Sequence, residues 1–206
     1  MYYIHRFDYD TPIEETMEAL DTLVKSGKVR ALGASSMYGY QFHNMQEVAK
    51  NNNWTLFSVM QNHYNLLYRE DEHEMIPICQ QYAVSLVPYS PLAGGHLTHR
   101  GWDSDSLRAK TDKVRRDKYD HAIDNDTIII DRVSELAEKY NVSMAQISLA
   151  WLLKRGVASP IVGATSIPHF EDAVKAVELE LSDEDCRYLE EDYKPHSIVG
   201  LFPNTK

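Results

Sequence analysis

Apolar residues along the chain follow two alternating patterns: short unbroken runs, and longer stretches in which they recur every three or four positions. The short runs predict buried strands, and the longer stretches predict amphipathic helices. The predicted strands are residues 2–8, 28–34, 55–60, 84–87 and 159–162. The predicted helices are residues 11–25, 38–50, 69–82, 126–140, 143–155, 168–177 and 182–191.

Two of the predicted helices begin with capping signals. Thr11 is a good N-cap, Pro12 suits the first helical position, and Glu14 can close a capping box. Ser143 and Gln146 form the same kind of box at the start of a later helix. The strand at the start of the chain therefore leads directly into a capped helix, which is the first half of a βα unit.

The alternation of strands and helices, at intervals of about 25 to 30 residues, predicts a parallel α/β sheet covered by helices. A doubly wound sheet is the alternative, but no G-x-G-x-x-G follows any predicted strand. A (β/α)8 TIM barrel fits better, and the five predicted strands correspond to strands 4 to 8 of its eight, followed by C-terminal helices. We expect one domain over residues 1–206, with a long polar loop at 97–125 and a loose tail at 194–206.

Composition and charge limit the kinds of partner. The chain is 43% hydrophobic and 25% charged, with a formal net charge of -10, which argues against a nucleic-acid-binding surface. No apolar run has the length of a membrane span, and no targeting segment is visible. Cys79 and Cys186 each lie in an apolar helical pattern, so two buried reduced thiols are expected. We therefore expect a cytoplasmic protein without a nucleic-acid or membrane partner.

Polar or small residues follow each predicted strand. In a barrel, the carboxyl ends of the strands converge, and the active site lies at that end. The strand-end residues are His5 and Asp8, Ser35 and Ser36, Gln61 and Asn62, Tyr89 and Ser90, and Thr165 and Ser166. No metal site is expected, because the His73-Glu74 pair lacks a second histidine at metal-binding spacing.

Several of these segments resemble the C-terminal part of the aldo-keto reductase family, and the members named aryl-alcohol dehydrogenase-like are the most similar. The resemblance covers about residues 1 to 192, in the family's order. The matching segments are YIHRFD at 3–8, GKVR at 27–30, GASS at 33–36, Gln61 with YNLL at 64–67, PYSPLAGG at 88–95 and IVGAT at 161–165.

The resemblance implies hydride transfer between NADP(H) and a small-molecule aldehyde, ketone or alcohol, without a metal. His5 matches the histidine that orients the substrate carbonyl. Ser35, Ser36 and Gln61 match residues that bind the nicotinamide carboxamide, which needs fixed donors and acceptors. Tyr89 matches the aromatic residue that stacks on the nicotinamide ring.

The resemblance also implies where the rest of the cofactor binds. Ser90, Leu92 and Gly94 match the loop that lines the pyrophosphate, where backbone amides can meet phosphate oxygens. The positions near the adenosine phosphate and adenine are Gly163, Thr165, His169 and Asp172. The family usually has Arg, Lys or Ser at the 2′-phosphate, so the choice between NADPH and NADH stays open. His169 can equally be an exposed residue at a helix start.

The family's catalytic Tyr, Lys and Asp belong to strands and helices that come before the histidine strand, and none of the thirteen tyrosines of this chain matches. We therefore expect a chain truncated at its N-terminus and inactive alone, which self-associates through exposed strand edges. A non-catalytic cofactor-binding or regulatory subunit is the alternative. The charged run within residues 97–125 is expected to be a solvated loop or a lid over the cofactor.

Overall fold

A computed structural model describes residues 1–102 and 113–201 of the chain. The strands are β1 (Tyr2–Tyr3), β2 (Leu32–Ser35), β3 (Phe57–Gln61) and β4 (Ser85–Leu86). The helices are α1 (Ile13–Lys25), α2 (Gly39–Asn51), α3 (Met75–Gln81), α4 (Lys113–Tyr119), α5 (Ile123–Tyr140), α6 (Met144–Lys154), α7 (Ile167–Lys175) and α8 (Asp183–Glu190). Short 3-10 segments cover Glu70–Glu72, Ala93–Thr98 and Ala176–Glu178.

The described residues divide into two compact units. The first unit contains Met1–Asn62, Asp71–Val87 and the described part of Ile198–Lys206. The second unit contains His63–Glu70 and Pro88–Ser197. All four strands therefore belong to the first unit, and helices α4 to α8 belong to the second.

The first unit is built on a parallel sheet in the order β1-β2-β3-β4. All four residues of β2 are buried, as expected for a strand covered on both faces. Gly33 is required there because a Cβ atom would lie 2.3 Å from the ring of Tyr3 on β1. Helix α2 is tied to β3 through Gln46, whose side-chain amide donates to the backbone oxygen of Phe57 and accepts from its nitrogen, at 3.1 and 2.9 Å.

The second unit is a helical assembly. Its core is formed by apolar side chains of α5, α6 and α8, including Ile130, Ile147, Trp151 and Leu189, all fully buried. The indole nitrogen of Trp151 donates to Glu190 at 2.7 Å, so the largest core side chain also has its polar atom satisfied.

The α/β class and the parallel sheet are confirmed, but the predicted strand at 159–162 is wrong. That segment makes a single sheet-like hydrogen bond, from the Ile161 nitrogen to the Pro88 oxygen at 2.9 Å. Pro88 and Pro160 have no N–H group, so the two segments cannot form a continuous ladder. Ile161 is also 41% exposed, unlike a residue of a buried parallel strand. Within the described residues the sheet has four strands, where five are predicted.

The N-terminal elements differ from the prediction in their bounds. The strand predicted over residues 2–8 contains only Tyr2–Tyr3, although the Ile4 nitrogen still donates to the Gly33 oxygen at 3.0 Å. Helix α1 begins at Ile13 and has no side-chain cap, so the predicted Thr11 cap is wrong. The Thr11 hydroxyl donates to Asp8 at 2.7 Å instead. The Ser143 cap is confirmed, because its hydroxyl accepts from the Gln146 nitrogen at 3.1 Å.

Two segments predicted to be irregular contain ordered contacts. Residues 97–125 include α4 and the start of α5, while residues 103–112 lie outside the described residues. In the segment predicted as a loose tail, the backbone nitrogen of His196 donates to Glu70 at 2.7 Å. The His196 side chain pairs with the fully buried Asp126 at 3.1 Å. Residues 202–206 of that tail also lie outside the described residues.

Both cysteines are free and buried, as predicted. Among the described helices, none combines the length and the apolar character that a membrane crossing requires.

Asp185 on α8 is a buried carboxylate with three side-chain donors. Its carboxylate accepts from Lys139 at 2.6 Å, from Tyr140 at 2.6 Å and from Ser182 at 2.6 Å. Burial alone would raise the pKa of this carboxyl group, but the three donors outweigh it and lower the pKa to about 2. Helix α8 is thereby fixed to the end of α5 through a charged group that is only 4% exposed.

Replacing Asp185 by Asn is therefore expected to lower the free energy of unfolding at neutral pH by on the order of 2 kcal/mol. The pKa of the folded protein lies below that of the unfolded chain, so the stabilisation is complete above about pH 4 and is lost as the pH falls toward 2. Urea unfolding at several pH values should show the two proteins converging over that window. Asp183→Asn is the control, because the Asp183 side chain is 84% exposed. An equal effect of both substitutions would contradict the prediction.

Candidate functional site

The carboxyl ends of β1, β2 and β3 bring three predicted residues to one edge of the sheet in the first unit. Ser35 on β2 is the register partner of Gln61 on β3. His5 lies two residues beyond Tyr3, which pairs with Gly33, so it follows β1 at the level at which Ser35 ends β2. His5 is exposed, Gln61 is half-buried and Ser35 is buried. Exposure to solvent therefore increases along this edge, from the buried hydroxyl of Ser35 to the exposed imidazole of His5.

Ser35 and Ser36 form a hydroxyl pair at this edge. Their side-chain oxygens lie 3.3 Å apart, and both residues are buried, at 2% and 9% exposure. One hydroxyl hydrogen is enough for the bond between them, so the pair keeps a second hydrogen for another acceptor. Ser36 has a φ of 50°, a left-handed backbone that costs a non-glycine residue about 1 kcal/mol or more.

Two side-chain amides follow the serines along the same edge. Asn62 is 3% exposed, and neither its nitrogen nor its oxygen has a hydrogen-bond partner among the residues that the structure describes. Gln61 makes no side-chain hydrogen bond within that same part of the chain. An unpaired buried amide costs about 1–3 kcal/mol, so native proteins seldom keep one without a further partner. Sequence reasoning placed Asn62 at a strand end but gave no sign of this unpaired state.

Tyr89, the residue predicted to stack on nicotinamide, belongs to a group of aromatic rings in the second unit. The imidazole of His63 stacks on it, with ring centres 5.1 Å apart and planes 8° apart. The two backbones form an isolated parallel bridge, which explains the alignment of the rings. The ring of Tyr68 stacks on His63 at 4.1 Å and 15°. The ammonium group of Lys118 lies over the Tyr89 ring, 4.6 Å from its centre.

His63 is held by hydrogen bonds as well as by stacking. Its Nε2 atom lies 2.7 Å from the hydroxyl of Tyr119, and that hydroxyl also accepts from the Asn65 side-chain nitrogen at 3.0 Å. Burial, with smaller contributions from Lys118 and His196, lowers the pKa of His63 well below its usual value. Burial also raises the pKa of Tyr119. Both groups are therefore neutral near pH 7.

The loop after Pro88 contains the predicted pyrophosphate residues Ser90, Leu92 and Gly94. Ser90 and Ala93 have left-handed backbones, with φ of 54° and 49°, and Gly94 has a φ of 65°. The oxygen of Ser90 accepts from the Ala93 nitrogen at 3.0 Å, and the oxygen of Leu92 accepts from the Gly95 nitrogen at 2.8 Å. These bonds close successive tight turns, which hold the strained residues in place.

The left-handed non-glycine residues of the described chain fall into two groups of different meaning. Asn53, Ala83 and Asn141 lie at the ends of helices, where this conformation is a common way to terminate a helix. The other three are Ser36, Ser90 and Ala93. None of these three ends a helix, and all lie in the segments predicted to bind cofactor. Left-handed non-glycine residues away from helix ends occur often at functional sites.

The residues predicted near the adenosine are brought together less closely. Gly163, Thr165 and His169 are exposed, and the Thr165 hydroxyl lies 3.4 Å from the His169 ring nitrogen. The carboxylate of Asp172 accepts from Ser143 at 2.6 Å and from Gln146 at 2.5 Å. Both of its oxygens therefore bind the start of α6, a structural contact that the sequence did not indicate.

Each unit thus presents its own part of the predicted site. The first unit brings together Ser35, Ser36 and Gln61, with His5 at the same edge. The second unit aligns Tyr89 with the strained loop at 90–95, and its residues at 163–169 are exposed. In the part of the chain that the structure describes, no group of three or more His, Cys, Asp or Glu side chains could hold a metal ion. Sequence reasoning missed His63, the buried ring partner of Tyr89, and it missed Tyr68 and Tyr119, which contact His63.

Comparison with known proteins gives a family match over most of the chain. The model of the aldo/keto reductase family matches residues 1–194. A Schizosaccharomyces pombe protein that carries the name of an aryl-alcohol dehydrogenase is 49% identical over 202 residues, covering 96% of this chain and 56% of its own length. An aldo-keto reductase of Fusarium vanettenii is 48% identical, covering 97% of this chain and 54% of its own.

A versiconal hemiacetal acetate reductase of Aspergillus parasiticus is 45% identical, covering 95% of this chain and 57% of its own. The chain spans about half the length of the curated relatives it matches, between 54% and 57% for these three. The family match includes residues of both units and confirms the resemblance that the strand-end motifs suggested. The chain belongs to the aldo/keto reductase family.

Proposed function

We propose that this protein is an NADP(H)-dependent oxidoreductase that interconverts an aldehyde or ketone and the corresponding alcohol. The observation that carries the proposal is the family match over residues 1–194, since it includes every residue that we assign to the cofactor. The names of the relatives, which include reductases and an aryl-alcohol dehydrogenase, support the same type of reaction. We also propose that the two units belong to a single domain. A reducing, cytoplasmic location is a further proposal, which the two free buried thiols support.

The polar groups of the first unit fit a carboxamide. A nicotinamide carboxamide offers two N–H donors and one carbonyl acceptor, and the opposing surface must supply the complement. The Ser35–Ser36 pair has a spare hydroxyl hydrogen, and the Gln61 and Asn62 amides have unused donors and acceptors among the described residues. We therefore assign Ser35, Ser36 and Gln61 to the carboxamide and add Asn62 as a neighbouring contact.

The second unit fits the other parts of the cofactor. A flat ring against Tyr89 would complete a stack that His63 and Tyr68 already begin. The loop at 90–95 turns tightly enough to direct backbone amides toward phosphate oxygens. The assignment of Gly163, Thr165, His169 and Asp172 to the adenosine end is supported by their family positions and, for the first three, by their exposure.

In the proposed reaction, the bound reduced nicotinamide supplies the hydride that the substrate carbonyl carbon receives. His5 orients the carbonyl oxygen through an imidazole N–H, and its exposed position at the sheet edge allows substrate to reach it. The resemblance assigns proton donation to a Tyr, tuned by a Lys and an Asp, and these residues have no counterpart among the 206 residues. We therefore expect the 206 residues alone to bind cofactor without turning over substrate.

The test is to titrate the chain with NADPH, following nicotinamide fluorescence, and then to add an aromatic aldehyde. We expect saturable binding and no consumption of NADPH. Gln61→Leu should weaken binding roughly tenfold or less, because a lost hydrogen bond to the carboxamide leaves a polar group unpaired. Ser58→Ala is the matched control on the same strand, since the Ser58 hydroxyl donates to the Leu32 oxygen instead.

Failure of the chain to bind NADPH, or equal losses in the Gln61 and Ser58 variants, would overturn the cofactor assignment. Turnover at an enzyme-like rate that vanishes in His5→Ala would instead show that the 206 residues are a complete catalyst.

Lys118 gives a second prediction about the same site. Its ammonium group lies 4.6 Å from the centre of the Tyr89 ring, where a cation and a nicotinamide ring compete for the aromatic surface. A partly desolvated cation–π contact is worth about 0.5–1 kcal/mol, so Lys118→Met should tighten NADPH binding by roughly two- to fivefold. Weaker binding in this variant would contradict the prediction, because it would mean that Lys118 contacts the cofactor itself.

We further propose that the chain self-associates through the open edge of its sheet. In the described sheet, β1 pairs with β2 alone, and Tyr2 on that edge is 48% exposed. An exposed edge is a template for pairing with another strand, and a lysine on the edge opposes it. Sedimentation velocity should show association that Tyr2→Lys reduces. Tyr40→Lys is the control, because Tyr40 is 57% exposed but lies on α2. A wild-type monomer would refute the proposal.

A further inference from the structure

We propose that His63 is a positioning residue for the nicotinamide ring: its imidazole, stacked between Tyr68 and Tyr89 and fixed by Tyr119, sets the plane of Tyr89. This inference rests on the proposed function, since Tyr89 acts on the reaction only where nicotinamide binds. The observation behind it is the sequence of parallel rings, with angles of 15° between Tyr68 and His63 and 8° between His63 and Tyr89.

The backbone alone does not set the plane of Tyr89, because an aromatic side chain can rotate about its own bonds. The bridge between His63 and Tyr89 places the two side chains side by side, and the imidazole then restricts the neighbouring ring to a parallel orientation. Tyr68 also restricts the imidazole, because its ring stacks on that of His63 with the two ring centres 4.1 Å apart. Tyr68 is itself only 2% exposed, so the stack begins in the core of the second unit.

His63 is hydrogen-bonded through one of its two ring nitrogens. Its Nε2 atom lies 2.7 Å from the Tyr119 hydroxyl, which also accepts from the Asn65 side-chain nitrogen at 3.0 Å. Its Nδ1 atom has no hydrogen-bond partner in the described part of the chain. The ring is therefore anchored at one nitrogen only, and its orientation depends on the two stacking neighbours.

Asn65 connects the stack to the loop that carries the next cofactor residues. The same side-chain nitrogen that donates to Tyr119 also donates to the backbone oxygen of Ser90, at 2.9 Å. Its oxygen accepts from the Leu67 nitrogen at 2.9 Å, so the Asn65 amide is fully engaged and rigid. Ser90 follows Tyr89 directly. The ring of Tyr89 is therefore held by His63, and the backbone that follows it is held by Asn65.

Neutrality of His63 suits this role. Both forms of the cofactor must bind in a reversible reaction, and the oxidised nicotinamide ring is positively charged. A charged imidazole stacked on Tyr89 would repel that ring, in addition to the positive charge of Lys118 nearby. Burial of His63, which is 5% exposed, keeps the imidazole uncharged.

The experiment compares two ligands and three variants of the full chain. NADPH is titrated beside 2′-phospho-ADP-ribose, which has the adenosine and phosphates but lacks nicotinamide. His63→Leu removes the ring at similar volume, and His63→Phe keeps a ring that can stack. His43→Leu is the matched control, because the ring of His43 also contacts a tyrosine ring and hydrogen-bonds a tyrosine hydroxyl, that of Tyr82 at 2.7 Å, but lies in the first unit.

We expect His63→Leu to raise the dissociation constant for NADPH roughly tenfold and to leave that for 2′-phospho-ADP-ribose unchanged. It should also reduce the shift in nicotinamide fluorescence that accompanies binding. His63→Phe should restore both the dissociation constant and the fluorescence shift to within roughly threefold of the wild type, and His43→Leu should bind both ligands as the wild type does. Circular dichroism identifies a variant that fails to fold. If His63→Leu does not fold, His63→Phe decides the test: NADPH binding close to that of the wild type supports the positioning role, and loss of the NADPH-specific signal contradicts it.

The outcomes separate the two proposals. If neither ligand binds the wild-type chain, the proposed function fails, and the role of His63 fails with it. If NADPH binds the wild type, but His63→Leu leaves it unchanged or weakens both ligands equally, the positioning role is refuted while cofactor binding stands.

Discussion

The parallel register of β2 with β3 is the constraint on which the candidate site of the first unit depends. Because Gly33 pairs with Val59 and Ser35 pairs with Gln61, after an irregularity between Leu32 and Gly33, the two strands end together and present their polar residues side by side. A shift of one residue would turn Gln61 away and bring apolar Met60 to that position. The buried face of β2 disfavours such a shift, and Gln46 on α2 fixes β3 through the backbone of Phe57. On the other side of β2, Gly33 lets Tyr3 of β1 lie against that strand.

Buried polar side chains differ in how completely they are matched. Asp185 accepts from three side chains, and Asp21 accepts from the Thr55 nitrogen and hydroxyl and from Lys25. Within the described residues, Asn125, one oxygen of Asp126, and the Gln61 and Asn62 amides at the carboxyl edge of the sheet have no hydrogen-bond partner. The two amides at the sheet edge suit groups that are kept for a ligand, because matching them internally would remove their capacity to bind.

Much of the fold and part of the site could be predicted from the sequence. The parallel sheet, the two free thiols and the Ser143 cap follow from local patterns that tertiary contacts did not overrule. The strand at 159–162 failed because its apolar pattern matches a strand, whereas prolines at 88 and 160 deny it the necessary donors. His63 could not have been recognised, since its role depends on stacking with Tyr68 and Tyr89, and stacking depends on ring planes that no spacing in the sequence encodes. Asn62 was visible as a strand-end residue, but only the folded structure shows that its amide has no hydrogen-bond partner among the described residues.

Backbone strain and ring stacking act together in the second unit. Ser90 and Ala93 hold left-handed conformations at a cost of about 1 kcal/mol or more each, and such strain persists only where neighbouring contacts fix the chain. Those contacts are the Asn65 amide on the Ser90 oxygen and the turn bonds at Ala93 and Gly95. Asn65 also holds Tyr119, which holds His63, so the strained loop and the aromatic stack share one side chain. A loop for phosphate and a ring for nicotinamide would then be positioned by the same amide, which couples the orientation of the two parts of the cofactor.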